Sequence, residues 1–219
     1  MKTIGLYEPR ESGYEAVCQF ARKVYWESLE FDLTNFPEFF FAIKDKTQVV
    51  GCMGLNRSTK CSLFSRDERF LRILEENDPL ERFGEQSVLA LKNYGLGLMP
   101  LIAIVTEYAY YIGITKIPFA GTTVALHALK RIGFDVVECG LADPDVLLPE
   151  ERRNFAKWFS LNEPVLGIVD SKQAPFLSPR VFGRFANKIT LAGRLAEEIK
   201  FYRMGREIPM QVPKEAVWV

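Results

Sequence analysis

Glu85-Gln86-Ser87-Val88-Leu89-Ala90-Leu91-Lys92-Asn93-Tyr94-Gly95-Leu96-Gly97, followed by Leu98-Met99-Pro100, is the stretch on which the fold turns. Ser87 to Leu91 reads as an apolar strand, Lys92 to Gly97 as a turn, and Met99-Pro100 as the opening of a helix running to Ile112. Glycines after a strand let the chain turn sharply and let its N–H groups come close to a ligand. A helix starting there adds unpaired donors and the positive end of its dipole, so the turn suits a phosphate. Pro100 fits a first helical turn, where its missing N–H costs nothing. The pattern predicts a diphosphate cradle and leaves the acceptor substrate unnamed.

Downstream, Lys116 to Ala120 reads as a strand, and Gly121-Thr122-Thr123 opens a helix to Ile132 with threonine as N-cap. Gly133 supplies the stop, Phe134 to Cys139 a strand, Asp143 to Phe159 a helix, and Val165 to Val169 another strand. Upstream, Thr3 to Tyr7 is a strand. Glu11 to Leu29 is a helix with Val17, Phe20, Ala21 and Val24 on one side. Glu38 to Lys44 and Gln48 to Leu55 form a hairpin around Asp45-Lys46-Thr47. Ser58 to Phe83 is charged and irregular, with a short helix from Arg66 to Glu76 ended by Pro79. The alternation predicts an α/β fold, a mixed central sheet flanked by helices with parallel neighbours at its centre.

Residues 1–170 read as this domain and 171–219 as a C-terminal helical extension. In the tail, Phe182, Phe185, Ile189, Ala192, Ala196 and Ile199 recur at three- and four-residue spacing, one apolar helical stripe. The stripe suits docking on the parent domain, a homodimer contact or a cover over the active cleft.

The chain has 219 residues, 48% apolar, with 28 basic and 28 acidic side chains, so its net charge is zero. That balance gives no general pull toward nucleic acid or an anionic membrane. The N-terminus shows no charged region followed by an apolar one, as a secretory signal would. The longest apolar run, Leu96 to Val105, is half of the ~20 residues a bilayer span needs. Cys18, Cys52, Cys61 and Cys139 show no CxxC pairing and have only His127 for company, a poor zinc set. They read as structural thiols of a cytoplasmic protein in a reducing compartment, and no metal is expected.

The element order, with Lys92 to Gly97 after one strand and Arg131-Ile132-Gly133-Phe134 before another, resembles the GNAT N-acyltransferases. Gly95 and Gly97 match glycines of that superfamily's pyrophosphate signature. Lys92 stands where it carries Gln or Arg. Ile112-Gly113-Ile114-Thr115-Lys116-Ile117 falls where it has a similar segment. A closer resemblance, over roughly residues 20 to 170, is to the thermostable hemolysin family, which is related to GNAT enzymes and acyl-homoserine-lactone synthases. Glu85 to Ala90 resembles its strand motif, with Ser87 and Val88 where the family carries Gly and Asn. Leu63-Phe64, Pro79-Leu80-Glu81, Ala142-Asp143, the aromatics Phe155, Trp158 and Phe159, and Pro164-Val165 with Gly167 match further pieces.

The resemblance implies an acyl thioester of coenzyme A or of an acyl carrier protein lying along residues 85–91, used as a co-substrate with no tightly bound cofactor. Its phosphate would meet Lys92, Asn93, Tyr94, Gly95, Leu96, Gly97, Leu98 and Thr122. Aminolysis needs a base for the amine and an acid for the leaving thiolate. Glu85 is the candidate base, on one strand face with Ser87, Leu89 and Leu91; an ion pair with Arg82 or Lys92 is its structural alternative. The superfamily's usual tyrosine acid is replaced by Leu129 and its usual helix-start asparagine by Thr122. The acid role falls to Tyr94, Tyr108 or water. His127, ~140° around its helix from Thr122, reads as a surface residue.

Arg22, Tyr25, Phe36 and Phe39 are candidate acceptor-binding residues, and equally good core. Phe40 must face away from Phe39. The function implied is an N-acyltransferase acting on a small amine or amino-acid-like acceptor in specialised metabolite or signal biosynthesis. A non-catalytic binding protein of the same fold, and a membrane-lytic protein using the stripe 182–199, are the alternatives.

Overall fold

The structure is a computed structural model that describes residues 1–57, 67–69, 72, 83–92 and 94–205, with residues 94–96 described in backbone only. The elements are β1 (Lys2–Tyr7), α1 (Tyr14–Leu29), β2 (Phe39–Asp45), β3 (Gln48–Asn56), β4 (Glu85–Leu91), α2 (Tyr94–Tyr111), β5 (Lys116–Gly121), α3 (Thr123–Ile132), β6 (Val136–Leu141), α4 (Pro149–Leu161), β7 (Val165–Asp170), α5 (Ala174–Phe185), β8 (Ile189–Leu191) and α6 (Gly193–Arg203). The expected helix Arg66 to Glu76 falls largely outside the described residues, as do Cys61, Leu63-Phe64 and Pro79-Leu80-Glu81.

The strands form a five-stranded sheet, β4-β3-β2-β1-β8, and a three-stranded sheet, β5-β7-β6. Neighbours are antiparallel except β1 with β8. The parallel centre expected from the strand–helix–strand pattern is reduced, among the described residues, to one bridge between Phe83 and Lys116.

Side-chain alternation along β2 sets the layers. Phe39, Phe41 and Ile43 face α2, whereas Phe40 and Ala42 face Val17, Cys18 and Ala21 of α1. Leu101 to Val105 of α2 are buried on every side, as fits a helix held between a sheet and outer helices. α4 covers the three-stranded sheet through Phe155 and Phe159 against Leu166 and Ile168. It meets α1's end through the stacked rings of Phe31 and Phe155, 4.9 Å apart.

Two expectations need correction. α2 begins at Tyr94, five residues early, so Pro100 lies inside the helix and leaves the Leu96 carbonyl without its donor. An interior proline costs about 3 kcal/mol, comparable to what one or two fully buried large apolar side chains return; α2 buries many. The stripe from Phe182 to Ile199 is two helices with a strand between them. The strand β8 pairs beside β1, Lys2 opposite Ile189 and Ile4 opposite Leu191. The spacing misled because Ile189 meets the same core from a strand that Val181, Leu195 and Ile199 meet from helices.

Candidate functional site

β4 and β5 run side by side but are joined only at their start. There the Gly84 N–H donates to the Lys116 carbonyl at 3.2 Å, and Phe83 bridges Lys116. Beyond it no ladder links the two strands among the described residues, and the sheet splits. Backbone groups alternate between the two edges of a strand. The Lys92 N–H is turned back to the Val50 carbonyl at 3.1 Å, so alternation turns the peptide groups of Leu91 and Leu89 into the split. Counting from Gly84 turns those of Gln86 there too. On β5 the groups of Lys116, Pro118 and Ala120 face the split. Pro118 has no N–H to offer, so the ladder cannot zip shut through it.

The two counts along β4 disagree by one residue, and a bulge absorbs the difference. Cys52 pairs with Ala90 and Gly54 with Ser87, leaving Val88 and Leu89 opposite Met53. Val88 takes φ 47°, a conformation that costs an L-residue about 1–2 kcal/mol and suits a β-branched one least. The bulge also breaks the expected face of Glu85, Ser87, Leu89 and Leu91. Glu85, Ser87, Val88 and Ala90 point toward α1, with the Asn56 amide 3.5 Å from Ser87 Oγ. Gln86, Leu89 and Leu91 point toward α2, where Gln86 Nε2 donates to Thr106 Oγ1 at 2.9 Å. Glu85 is buried, 5% exposed, at the closed end of the split.

The open end gathers two helix N-termini. Because β4 and β5 run in the same direction, α2 and α3 both begin there, and the first four amides of a helix have no internal acceptor. In α2 those of Tyr94, Gly95 and Leu96 are among them. The amides of Gly97 and Leu98 bond within the helix, so both leave the expected cradle, and the Leu98 side chain is core. A Cβ on Gly97 would lie 2.6 Å from Ile43 Cδ1, so this glycine lets α2 pack close on β2, and only the end of a side chain would have to give way to an alanine. Lys92 is exposed at the mouth. Thr122 caps α3, its hydroxyl accepting from the Ala125 N–H at 3.4 Å. Asn93 and the side chain of Tyr94 lie outside the described residues.

On the α1 side the structure brings Arg22 and Phe36 together, the guanidinium 5.3 Å from the ring centre. Arg22 Nε also donates to the Leu33 carbonyl at 3.2 Å and lies 3.5 Å from Asp32. Tyr25 packs against Phe31. Phe39 is on the other face, edge-on to Tyr108 at 5.8 Å, so it does not share a surface with Arg22. Phe40 faces α1, as alternation requires.

Tyr108 is not placed as an acid for the split. It is 4% exposed, packed on Phe39 and Phe41, and hydrogen-bonded to Glu198; burial above all pushes its hydroxyl well up. Leu129 is core and His127 is exposed. Cys18 and Cys52 are free thiols, pushed up chiefly by burial. Two cavities among the described residues, about 460 and 580 Å³, flank the β1–β8 edge near Glu11 and Arg194 and near Phe182 and Lys200. They lie at the far edge of the sheet from β4. Sequence reasoning missed the split and its bulge; the available signal was Pro118, in the middle of an otherwise clear strand.

A mixed sheet split between two parallel strands, with helices starting from the open end, defines the GNAT-like α/β class. The chain belongs to the thermostable hemolysin family, whose sequence profile matches residues 7–174. The same fold is found in the CoA-dependent acyl-homoserine lactone synthase BjaI, solved with SAM and isopentyl-CoA. That likeness has 19% identity and a TM-score of 0.60, over 92% of this chain and 100% of that one. The AHL synthase LasI aligns at 14% identity and TM-score 0.53 over 78% and 90% of the two chains. FeeM, an N-acyl amino acid synthase from uncultured soil microbes, aligns at 12% and 0.54 over 84% and 97%. No curated protein sequence matches the chain.

Proposed function

We propose that this protein is an N-acyltransferase that moves an acyl group from a thioester, of coenzyme A or a carrier protein, to a small amine or amino-acid-like acceptor. The observation that carries the reading is the β4–β5 split, held shut at Gly84–Lys116 and open where α2 and α3 begin. BjaI, described as CoA-dependent, and FeeM, described as an N-acyl amino acid synthase, share this fold and support the reading.

In this account the pantetheine arm occupies the place of a missing strand and bonds to the inward peptide groups of Gln86, Leu89, Leu91 and Ala120. The phosphates meet the amides of Tyr94 to Leu96, with Lys92, Asn93 and Thr122 alongside. The amine nitrogen attacks the thioester carbonyl; a C–N bond forms and the C–S bond breaks. Glu85 accepts the proton lost by nitrogen, and Tyr94 gives one to the leaving thiolate. A free edge amide of β4 stabilises the oxyanion. Arg22, Tyr25 and Phe36 receive the acceptor on the α1 side.

A ligand that binds only the native state stabilises it by about 2.7 kcal/mol at a hundred times its Kd. Octanoyl-CoA should therefore raise the melting temperature. No shift with octanoyl-CoA, free CoA or a phosphopantetheinyl carrier overturns the proposal. Glu85→Gln should lower turnover at least ~100-fold while preserving that shift.

A second reading, binding without turnover, is favoured by Leu129 at the usual acid's position and by the engagement of Tyr108 with Glu198. Retained CoA binding with undetectable transfer in the unaltered protein would favour it. The lytic reading loses its motif, since β8 interrupts the apolar stripe. No helix of the described residues is long and apolar enough to cross a membrane.

A further inference from the structure

Resting on that acyltransferase reading, we infer that Val88 is a specificity-determining residue that screens the thioester from water, steering the acyl group to an amine. The bulge places two consecutive side chains, Ser87 and Val88, on the α1 side of β4 where regular alternation would place one. Ser87, with Asn56 beside it, is polar. Val88 adds an isopropyl group that packs against the cluster holding Val17, Phe40 and Ala90, with Phe36 at its margin.

Glycine or asparagine would occupy φ 47° at less cost, because only short or absent side chains tolerate that region. Strain that the surroundings maintain is a mark of a working position. An apolar group here does what the cheaper residues cannot: it holds a dry surface beside the carbonyl. Two reactions compete for the same bond. Acyl thioester and amine give amide and free thiol, whereas acyl thioester and water give carboxylic acid and free thiol.

The test uses the full chain with octanoyl-CoA and hydroxylamine as the amine probe, measuring thiol release and hydroxamate separately. Val88→Thr keeps shape and branching but adds a hydroxyl; Val88→Asn removes the strain and adds polarity; Val88→Ile keeps the apolar screen. The ratio of hydrolysis to hydroxamate should rise about tenfold in the Thr and Asn variants and stay level in Ile. Calorimetric octanoyl-CoA binding should be retained in all three. An unchanged ratio in both polar variants with binding intact overturns the role of Val88 alone. A wild-type protein that binds neither octanoyl-CoA, free CoA nor a phosphopantetheinyl carrier overturns the acyltransferase reading and takes this inference with it.

Discussion

Gly84 and Gly97 show how differently two glycines of one strand–turn–helix segment can matter. A Cβ on Gly84 would lie 2.4 Å from Ile114 Cδ1 and 2.7 Å from the Asn56 carbonyl oxygen, and the latter is backbone that cannot swing away. Gly84→Ala should therefore cost about 1–3 kcal/mol in urea unfolding. At Gly97 the close neighbour is the terminal methyl of the Ile43 side chain, and alanine favours a helix, so Gly97→Ala should stay within ~1 kcal/mol of wild type. Equal losses at the two sites would contradict the packing described. Gly95 and Gly97 stood out in the sequence because they recur after a strand and before a helix. Gly84 did not, because its constraint comes from Ile114, far along the chain, and no local pattern carries that. Val88 was visible as a substitution within a motif, but its positive φ depends on the β3 register.

Among elements, α6 is fastened to α2 by side chains whose pairing the sequence does not announce. Glu107, fully buried, receives both Nε and Nη2 of Arg203 at 2.7 Å. Tyr111 stacks on Tyr202 at 4.6 Å, and its hydroxyl is pushed up to about 12, mainly by burial. Arg203→Ala would strand the carboxylate in the core; because Arg203 is a third exposed, water eases part of that, leaving a loss of about 3 kcal/mol. A loss no larger than that of an ordinary surface substitution would show the pair to be incidental.

Glu198 gives this contact a pH dependence. Its carboxyl is raised chiefly by burial, against the pull of Arg194, which also pairs with Glu8 and Glu11. A carboxyl with a higher pKa folded than unfolded holds its proton more tightly when folded. Its contribution is complete below the unfolded value and is lost as pH rises through the folded one. Melting temperatures of wild type minus Glu198→Gln should then fall as pH rises above about 4; a flat or rising difference refutes the assignment. The helices themselves were readable from apolar periodicity. β8 was not, since three residues give too short a pattern to distinguish strand from helix.

At the scale of the molecule, two sheets meet, among the described residues, at one bridge and are held together by helices on both faces. α2 and α3 span one side; on the other, Phe31 stacks on Phe155 and Lys157 pairs with Glu30 at 2.6 Å. The alternation of strands and helices made the mixed α/β class legible. The split was not, because whether parallel neighbours hydrogen-bond depends on the distance between them and on the donor missing at Pro118. The cradle was half legible: the glycine turn was found, but α2 starts earlier than its proline suggested, and the second N-terminus at α3 matters only once the shared direction of β4 and β5 is known.

Hydrogen exchange of the full chain with and without octanoyl-CoA measures the occupied place directly. Slower exchange in peptides covering 85–98 and 116–124, with little change near the β1–β8 edge, is the expected result. Protection confined to residues 189–203, or none at saturating ligand, would contradict the assignment of the split as the thioester site.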